Sequence, residues 1–65
     1  MRIVVNGDWR ETASAELCAV LEELGYGASI VTTAVNGEFV AAGARPVTRL
    51  AEGDRLEVLA PMQGG

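Results

Sequence analysis

Residues 1–24, MRIVVNGDWRETASAELCAVLEEL, predict a β-hairpin followed by one amphipathic helix. Arg2 to Asn6 is mostly β-branched and apolar, as is typical of a strand. Asn6-Gly7 is a strong hairpin signal, because both residue types tolerate a positive φ. Asp8 to Thr12 is then the returning strand, so the chain is predicted to open with two antiparallel strands.

The helix that follows is predicted over Ala15 to Leu24. Its apolar residues recur at i, i+3, i+4 and i+7 and form one stripe: Leu17, Val20, Leu21 and Leu24. Ser14 is expected to cap the helix through its side chain, and Glu16 is expected in the first turn, where the helix dipole favours an acid. Gly25 stands where helices commonly end in a left-handed residue.

The rest of the chain predicts three more strands separated by turns and one irregular segment. The strands are Ile30 to Val35, Glu38 to Ala41 and Arg55 to Ala60. Asn36-Gly37 is a second hairpin signal, and Glu52-Gly53-Asp54 is a turn. Ala42 to Leu50 contains a glycine and a proline without a clear period, which indicates a loop, with room for a 3₁₀ turn.

This order of elements predicts an α+β fold. One helix has one apolar face, which needs one sheet face to cover it, and parallel pairing of the first and last strands closes such a sheet economically. The result is the β-grasp, or ubiquitin-like, arrangement: a mixed sheet of about four to five strands with one helix packed across one face. Alternation turns four residues toward the helix: Ile3, Val5, Leu56 and Val58. Val4 and Leu59 are expected on the opposite face.

Composition excludes several classes of protein. The chain has 65 residues and a net charge of −4, which allows one small domain and disfavours a nucleic-acid binder, since phosphates require a basic patch. It has no histidine and one cysteine, so no metal site of the usual Cys/His type is expected. No apolar run approaches the ~20 residues that span a bilayer, and the start does not resemble a signal peptide. These features favour the cytoplasm and no membrane association.

Side chains that could carry out catalysis are nearly lacking. A nucleophile–base pair needs a histidine, or a lysine in special cases, and the sequence has neither. Glu22 and Glu23 are adjacent on the predicted helix, so they point toward water without forming a pair. Cys18 is interpreted as a small hydrophobe at the edge of the core, since its acidic neighbours disfavour a thiolate. The chain is therefore not expected to be an enzyme, and no catalytic residue is assigned.

The C-terminus is the segment of the sequence that could take part in a chemical reaction. Residues 1–60 are predicted to form the β-grasp domain and residues 61–65 a flexible tail that ends in Gly64-Gly65. Such an end is either frayed, as is common, or able to thread a narrow channel into the active site of another protein. From Ala60 the extended tail would reach ~20 Å. The reacting group would be the Gly65 carboxylate, which becomes electrophilic once ATP adenylates it.

The chain resembles the ThiS family, the bacterial, ubiquitin-like sulfur carrier proteins of thiamin biosynthesis. Four segments carry the resemblance, which covers the whole chain through their order and spacing: Ile3-Val4-Val5-Asn6-Gly7, Ala34-Val35-Asn36-Gly37 with Val40 after it, Leu50-Ala51-Glu52-Gly53-Asp54-Arg55-Leu56-Glu57-Val58, and Met62-Gln63-Gly64-Gly65.

The resemblance implies a carrier and co-substrate that binds no cofactor of its own. A ubiquitin-activating-like adenylyltransferase of the ThiF type would use ATP and magnesium to adenylate Gly65. Sulfur supplied indirectly by a cysteine desulfurase would replace AMP and leave a Gly65 thiocarboxylate. A thiazole synthase of the ThiG type would then take that sulfur. In this scheme Gln63 and Gly64 belong to the threaded tail, while Val4, Leu59 and Met62 are candidates for the docking surface.

Three alternatives stay open at this point. The chain could be a sulfur carrier for another pathway, either the small subunit of molybdopterin synthase or a carrier of the type used in cysteine synthesis. The molybdopterin subunit often has an aromatic residue near its Gly-Gly end, where this chain has Met62 and Gln63. It could be a protein modifier joined through Gly65 to a lysine of a target. It could also be an interaction module with a frayed end.

Overall fold

A mixed five-stranded sheet with one helix on one face forms the fold in the computed structural model, which describes residues 1–27 and 29–60. The strands are β1 (Arg2–Val5), β2 (Asp8–Glu11), β3 (Thr32–Val35), β4 (Glu38–Val40) and β5 (Arg55–Leu59). Helix α1 spans Leu17–Glu23, and a 3₁₀ helix spans Ala42–Val47. The predicted α+β, β-grasp architecture is confirmed, including the 3₁₀ turn inside the irregular segment.

Strand β5 occupies the centre of the sheet, whose order is β2-β1-β5-β3-β4. It pairs in parallel with β1, where Val4 lies opposite Arg55 and Val5 opposite Leu56. On its other side it pairs antiparallel with β3, as far as Thr32 opposite Leu59. The last strand of the sequence is therefore held on both sides, and the predicted pairing of first and last strands is confirmed.

Both Asn-Gly pairs form the tight turns that the sequence predicts. Asn6 and Gly7 have φ of 50° and 89°, and Asn36 and Gly37 have φ of 51° and 84°. Positive φ at both central residues defines the turn whose twist matches that of the flanking strands. Each two-residue turn fixes the register of its hairpin, with Val5 opposite Asp8 and Val35 opposite Glu38.

The core lies between α1 and the inner face of the sheet, as alternation predicts. Its buried members include the four strand residues assigned to that face, and all are aliphatic: Ile3, Val5, Leu17, Val20, Leu21, Val31, Leu50, Leu56 and Val58. Two polar side chains, Thr12 and Thr33, are also buried, and the more enclosed of the two is that of Thr33. Its hydroxyl donates to the Val40 carbonyl at 2.8 Å and accepts from Arg45 Nε at 3.0 Å, so its burial leaves no hydrogen-bonding group unpaired.

The helix begins later than the sequence predicts, at Leu17 instead of Ala15, and Ser14 does not cap it. The backbone of residues 15–17 is paired with the segment before β5 instead. Leu17 N–H donates to the Thr48 carbonyl at 2.9 Å, and Leu50 N–H donates to the Ala15 carbonyl at 2.7 Å. Glu16 therefore has an extended backbone and lies before the first turn, not within it.

A carboxylate from the end of α1 holds the segment in front of it. Glu23 accepts hydrogen bonds from the N–H groups of Ala13 and Ser14, each at 2.8 Å. The Ser14 hydroxyl, followed by the Ala13 and Ser14 N–H groups, favours the ionised form and lowers the pKa of Glu23. Glu23 is exposed, as predicted, but it organises the chain before the helix instead of only facing water.

Helix α1 ends at Glu23, one residue before the predicted end, and Gly25 has the predicted left-handed conformation, with a φ of 94°. The α1 residues that face the sheet are those of the predicted stripe. Within the described residues, no helix is long and apolar enough to cross a membrane.

Candidate functional site

The end of the central strand β5 is the point from which the C-terminal segment continues. Strand β5 ends at Leu59, and Ala60 is the last residue described before the terminus. The predicted tail, with Met62, Gln63, Gly64 and Gly65, lies outside the described residues. The roles assigned to these four residues, and the division at residue 60, stay predictions.

The Asn6 side chain is bonded to β5 close to this end. Its Nδ2 donates to the Val58 carbonyl at 3.1 Å, and its Oδ1 accepts from the Val58 N–H at 2.8 Å. Strand β1 ends at Val5, where the chain turns away, so the Asn6 carboxamide takes the place that the next peptide group of β1 would hold. Sequence reasoning treated Asn6 as a turn residue alone and missed this contact.

Asn36 makes a similar contact at the opposite end of β5. Its Oδ1 accepts from the Arg55 N–H at 2.9 Å, and its Nδ2 donates to Asp54 Oδ1 at 3.1 Å. Each Asn-Gly turn therefore forms a hairpin and also fixes one end of the central strand. The turn signal by itself accounts for both asparagines, so nothing in the sequence separately indicates these contacts.

The outer face of the sheet, opposite α1, carries a shallow groove of about 710 Å³. We call this surface the outer-face groove. It is lined chiefly by outward side chains of β1, β3, β4 and β5, and the turn residues Asn6 and Gly7 border it; the outward side chains are Val4, Thr32, Ala34, Phe39, Arg55, Glu57 and Leu59. Val4 and Leu59 both lie on it, as alternation predicts, and are ~13 Å apart along the strand direction. Val4 is half-buried, whereas Leu59 is 68% exposed.

Two aromatic residues on the outer face were not assigned by sequence reasoning. Phe39 lies opposite Ala34, borders the outer-face groove and is 69% exposed. Trp9 lies opposite Val4 and is 56% exposed, with the Arg2 guanidinium 4.8 Å from the centre of its ring. Because a two-residue turn fixes the hairpin register, the pairings could have been read from the Asn-Gly positions. Large exposed apolar side chains on one face are typical of a contact surface.

Cys18 lies on the other side of the molecule, away from the outer-face groove. It is half-buried beside the core and borders a small cavity of about 150 Å³ with Tyr26 and Arg45. Arg45 is committed to β3 through hydrogen bonds to the Val31 carbonyl at 2.6 Å and to Thr33. This placement agrees with the interpretation of Cys18 as a small residue at the edge of the core. Among residues 1–27 and 29–60, no three acidic or sulfur side chains are grouped in a way that would hold a metal ion.

Comparisons with known proteins agree with this architecture. The ThiS family model matches residues 3–65. A solved structure of the thiamine biosynthesis protein ThiS from Geobacter metallireducens is 33% identical, covers 100% of each chain and superimposes with a TM-score of 0.79. None of the curated proteins compared with the chain matches it.

The family match includes nearly the whole chain, with both Asn-Gly turns, the central strand and the Gly-Gly end, and the similar structure has the same fold over its full length. The chain therefore belongs to the ThiS family of small, ubiquitin-like sulfur carrier proteins.

Proposed function

We propose that this protein carries sulfur for thiazole formation in thiamin biosynthesis, as a thiocarboxylate on Gly65. The single observation that supports this most is that the match to the ThiS family runs to residue 65 and so includes Gly64-Gly65. Membership of a carrier family and an end without bulky side chains both suit chemistry at the terminal carboxylate. The use of ATP assigns the reaction to the cytoplasm in this proposal.

The reaction needs two steps at the terminal carbon. In the first, a Gly65 carboxylate oxygen attacks the α-phosphorus of ATP, and pyrophosphate leaves. In the second, a sulfur nucleophile attacks the acyl carbon and AMP leaves, so that one carboxylate oxygen departs with AMP. Hydrosulfide as nucleophile gives the thiocarboxylate directly. In this scheme the activating enzyme binds ATP and magnesium. The carrier contributes the acyl group and the surface by which the enzyme binds it.

The outer-face groove is the surface that we propose for docking to the adenylyltransferase of the ThiF type and to the thiazole synthase. It adjoins the end of β5, so a partner bound there would lie next to the segment that carries Gly65. Its exposed apolar residues gain contact area on binding, while Arg55 and Glu57 present both signs of charge. Val4 and Leu59 keep their predicted role here, and Met62 keeps its role as a proposal from sequence.

The function is tested by incubating the purified carrier with its adenylyltransferase, ATP, magnesium and sulfide, and recording the intact mass. We expect a species heavier by one oxygen-to-sulfur exchange, located at Gly65 by fragmentation. Omission of ATP should prevent it. A carrier for another pathway would form the same thiocarboxylate but would not support thiazole formation with the thiazole synthase. A protein unchanged by the complete mixture would contradict sulfur carriage.

Replacement of Leu59 by Asp is expected to weaken binding to the adenylyltransferase by about tenfold or more. Burial of a leucine side chain stabilises by ~1.5–3 kcal/mol, and a carboxylate in its place would lose its hydration. The free carrier should fold normally, because Leu59 is 68% exposed. Binding is measured by titration calorimetry without ATP, so that no chemistry takes place.

The matched control for Leu59→Asp is Val47→Asp. Val47 is 82% exposed and lies on the 3₁₀ helix beside α1. Its replacement by Asp adds the same charge as Leu59→Asp. We expect its dissociation constant to stay near that of the original protein. Equal weakening by both variants would mean that charge, not the outer-face groove, governs binding.

A further inference from the structure

The Asn6 carboxamide is the hydrogen-bonding partner of Val58 on the β1 side of the central strand. Val58 lies opposite Thr33 in the β3 pairing, but its own N–H and carbonyl are both bonded to Asn6, at 2.8 and 3.1 Å. Leu59 and Ala60 are the described residues beyond it. On the β1 side, the end of β5 is thus held by one side chain, which belongs to a residue 52 positions earlier in the sequence.

We propose that Asn6 is a positioning residue for the reaction at Gly65. By fixing Val58, it holds Leu59 and Ala60, from which the chain continues to Gly65, and so sets the fraction of docked carriers whose carboxylate reaches the activated phosphate. This inference rests on the proposed function and deepens it. Asn6 does not touch the reacting atoms; it acts through the strand that leads to them.

Asparagine is suited to both parts of this task. Its carboxamide offers one donor and one acceptor to the same residue, as a peptide group would, which neither an aspartate nor a hydroxyl side chain does in the same way. Asparagine also tolerates the φ of 50° that the turn requires. Glycine would tolerate the turn equally but would leave Val58 without its partner.

The other Asn-Gly turn supplies a matched control. Asn36 has a φ of 51°, and its carboxamide also makes two hydrogen bonds, with Arg55 and Asp54. These contacts lie at the beginning of β5, on the side away from the tail. Asn6→Gly and Asn36→Gly therefore remove similar interactions from similar turns, and they differ in which end of the strand is released.

The experiment compares both variants with the original carrier in ATP–pyrophosphate exchange catalysed by the adenylyltransferase. For Asn6→Gly we expect kcat to fall by about tenfold with KM for the carrier changed less than about twofold. Asn6 borders the outer-face groove, but the variant keeps the apolar side chains of that groove, so docking changes little while fewer docked carriers react. Asn36→Gly should keep the original kcat. A purely structural role would instead lower the folded fraction, which raises the apparent KM of either variant and leaves kcat unchanged.

Two further measurements keep the inference falsifiable. Amide exchange at Val58 should accelerate by roughly tenfold or more in Asn6→Gly and stay unchanged in Asn36→Gly. If Asn6→Gly does not fold, Asn6→Asp retains the acceptor for the Val58 N–H and should give an intermediate kcat. If amide exchange at Val58 is faster in Asn6→Gly but its kcat equals that of the original carrier, the positioning role alone is overturned. Absence of ATP–pyrophosphate exchange with the original carrier would overturn the proposed function and this inference together.

Discussion

Deletion of Gly65 is expected to abolish thiocarboxylate formation, with a loss in kcat/KM of at least about a hundredfold. The deletion moves the carboxylate to Gly64 and shortens the extended tail by ~3.3–3.6 Å. Misplacement of a reacting group by ~1 Å in an active site can already lower the reaction rate by about a hundredfold. The residues of the hydrophobic core lie between Ile3 and Val58, so the stability of the body should not change. The intact-mass assay measures the reaction, and thermal unfolding measures the body.

Gly65→Ala is the companion variant, because it restores the length of the tail and adds one methyl group. We expect it to react more than the deletion and less than the original chain, since the methyl group must fit a channel proposed to be narrow. If the deletion still formed thiocarboxylate at the original rate, Gly65 would not be the acceptor. If the alanine variant were as inactive as the deletion, the identity of the residue, in addition to the length, would be essential.

The fold follows from the sequence where local signals determine it. Asn6-Gly7 and Asn36-Gly37 fix two turns and two registers because positive φ at consecutive positions admits few residue types. Alternation then separates inward Leu56 and Val58 from outward Leu59. The topology needs one more step, the parallel pairing of the first and last strands, which is the way to give a single helix one continuous sheet to cover.

The start of the helix could not be predicted, because its determinants are distant in the sequence. Ser14 has the right chemistry for a cap, but residues 15–17 pair with the backbone of Thr48 and Leu50, and Glu23 occupies the Ser14 N–H. A local preference of ~1 kcal/mol for capping is outweighed by several tertiary hydrogen bonds.

The same limit applies to the site. Gly65 and the outward positions of Val4 and Leu59 can be proposed from the sequence, since chain ends and alternation are local properties. The bond between Asn6 and Val58 joins residues 52 positions apart, and a turn signal fully accounts for an asparagine at that place. A residue whose local role explains it completely gives no indication of a second role until the strand order is known.

Replacement of Leu56 by Ala is expected to give the largest loss of stability in the body. Leu56 is fully buried on the central strand, within the core that α1 covers. Removal of a leucine side chain from such a site costs ~2–5 kcal/mol, because the cavity closes only in part. A domain of this size has a total stability of ~3–10 kcal/mol, so a large part of the population could unfold. Urea titration should show a lower midpoint with the same slope.

Leu59→Ala is the control that separates burial from the substitution itself. It makes the same change on the same strand, three positions later, on a side chain that is 68% exposed. Its unfolding free energy should change by less than about 0.5 kcal/mol. Equal losses from the two variants would mean that the outer face is as well packed as the inner one and would leave no free surface for docking. The expected contrast would instead establish that β5 divides its side chains between two tasks: Leu56 stabilises the body, and Leu59 is available to a partner.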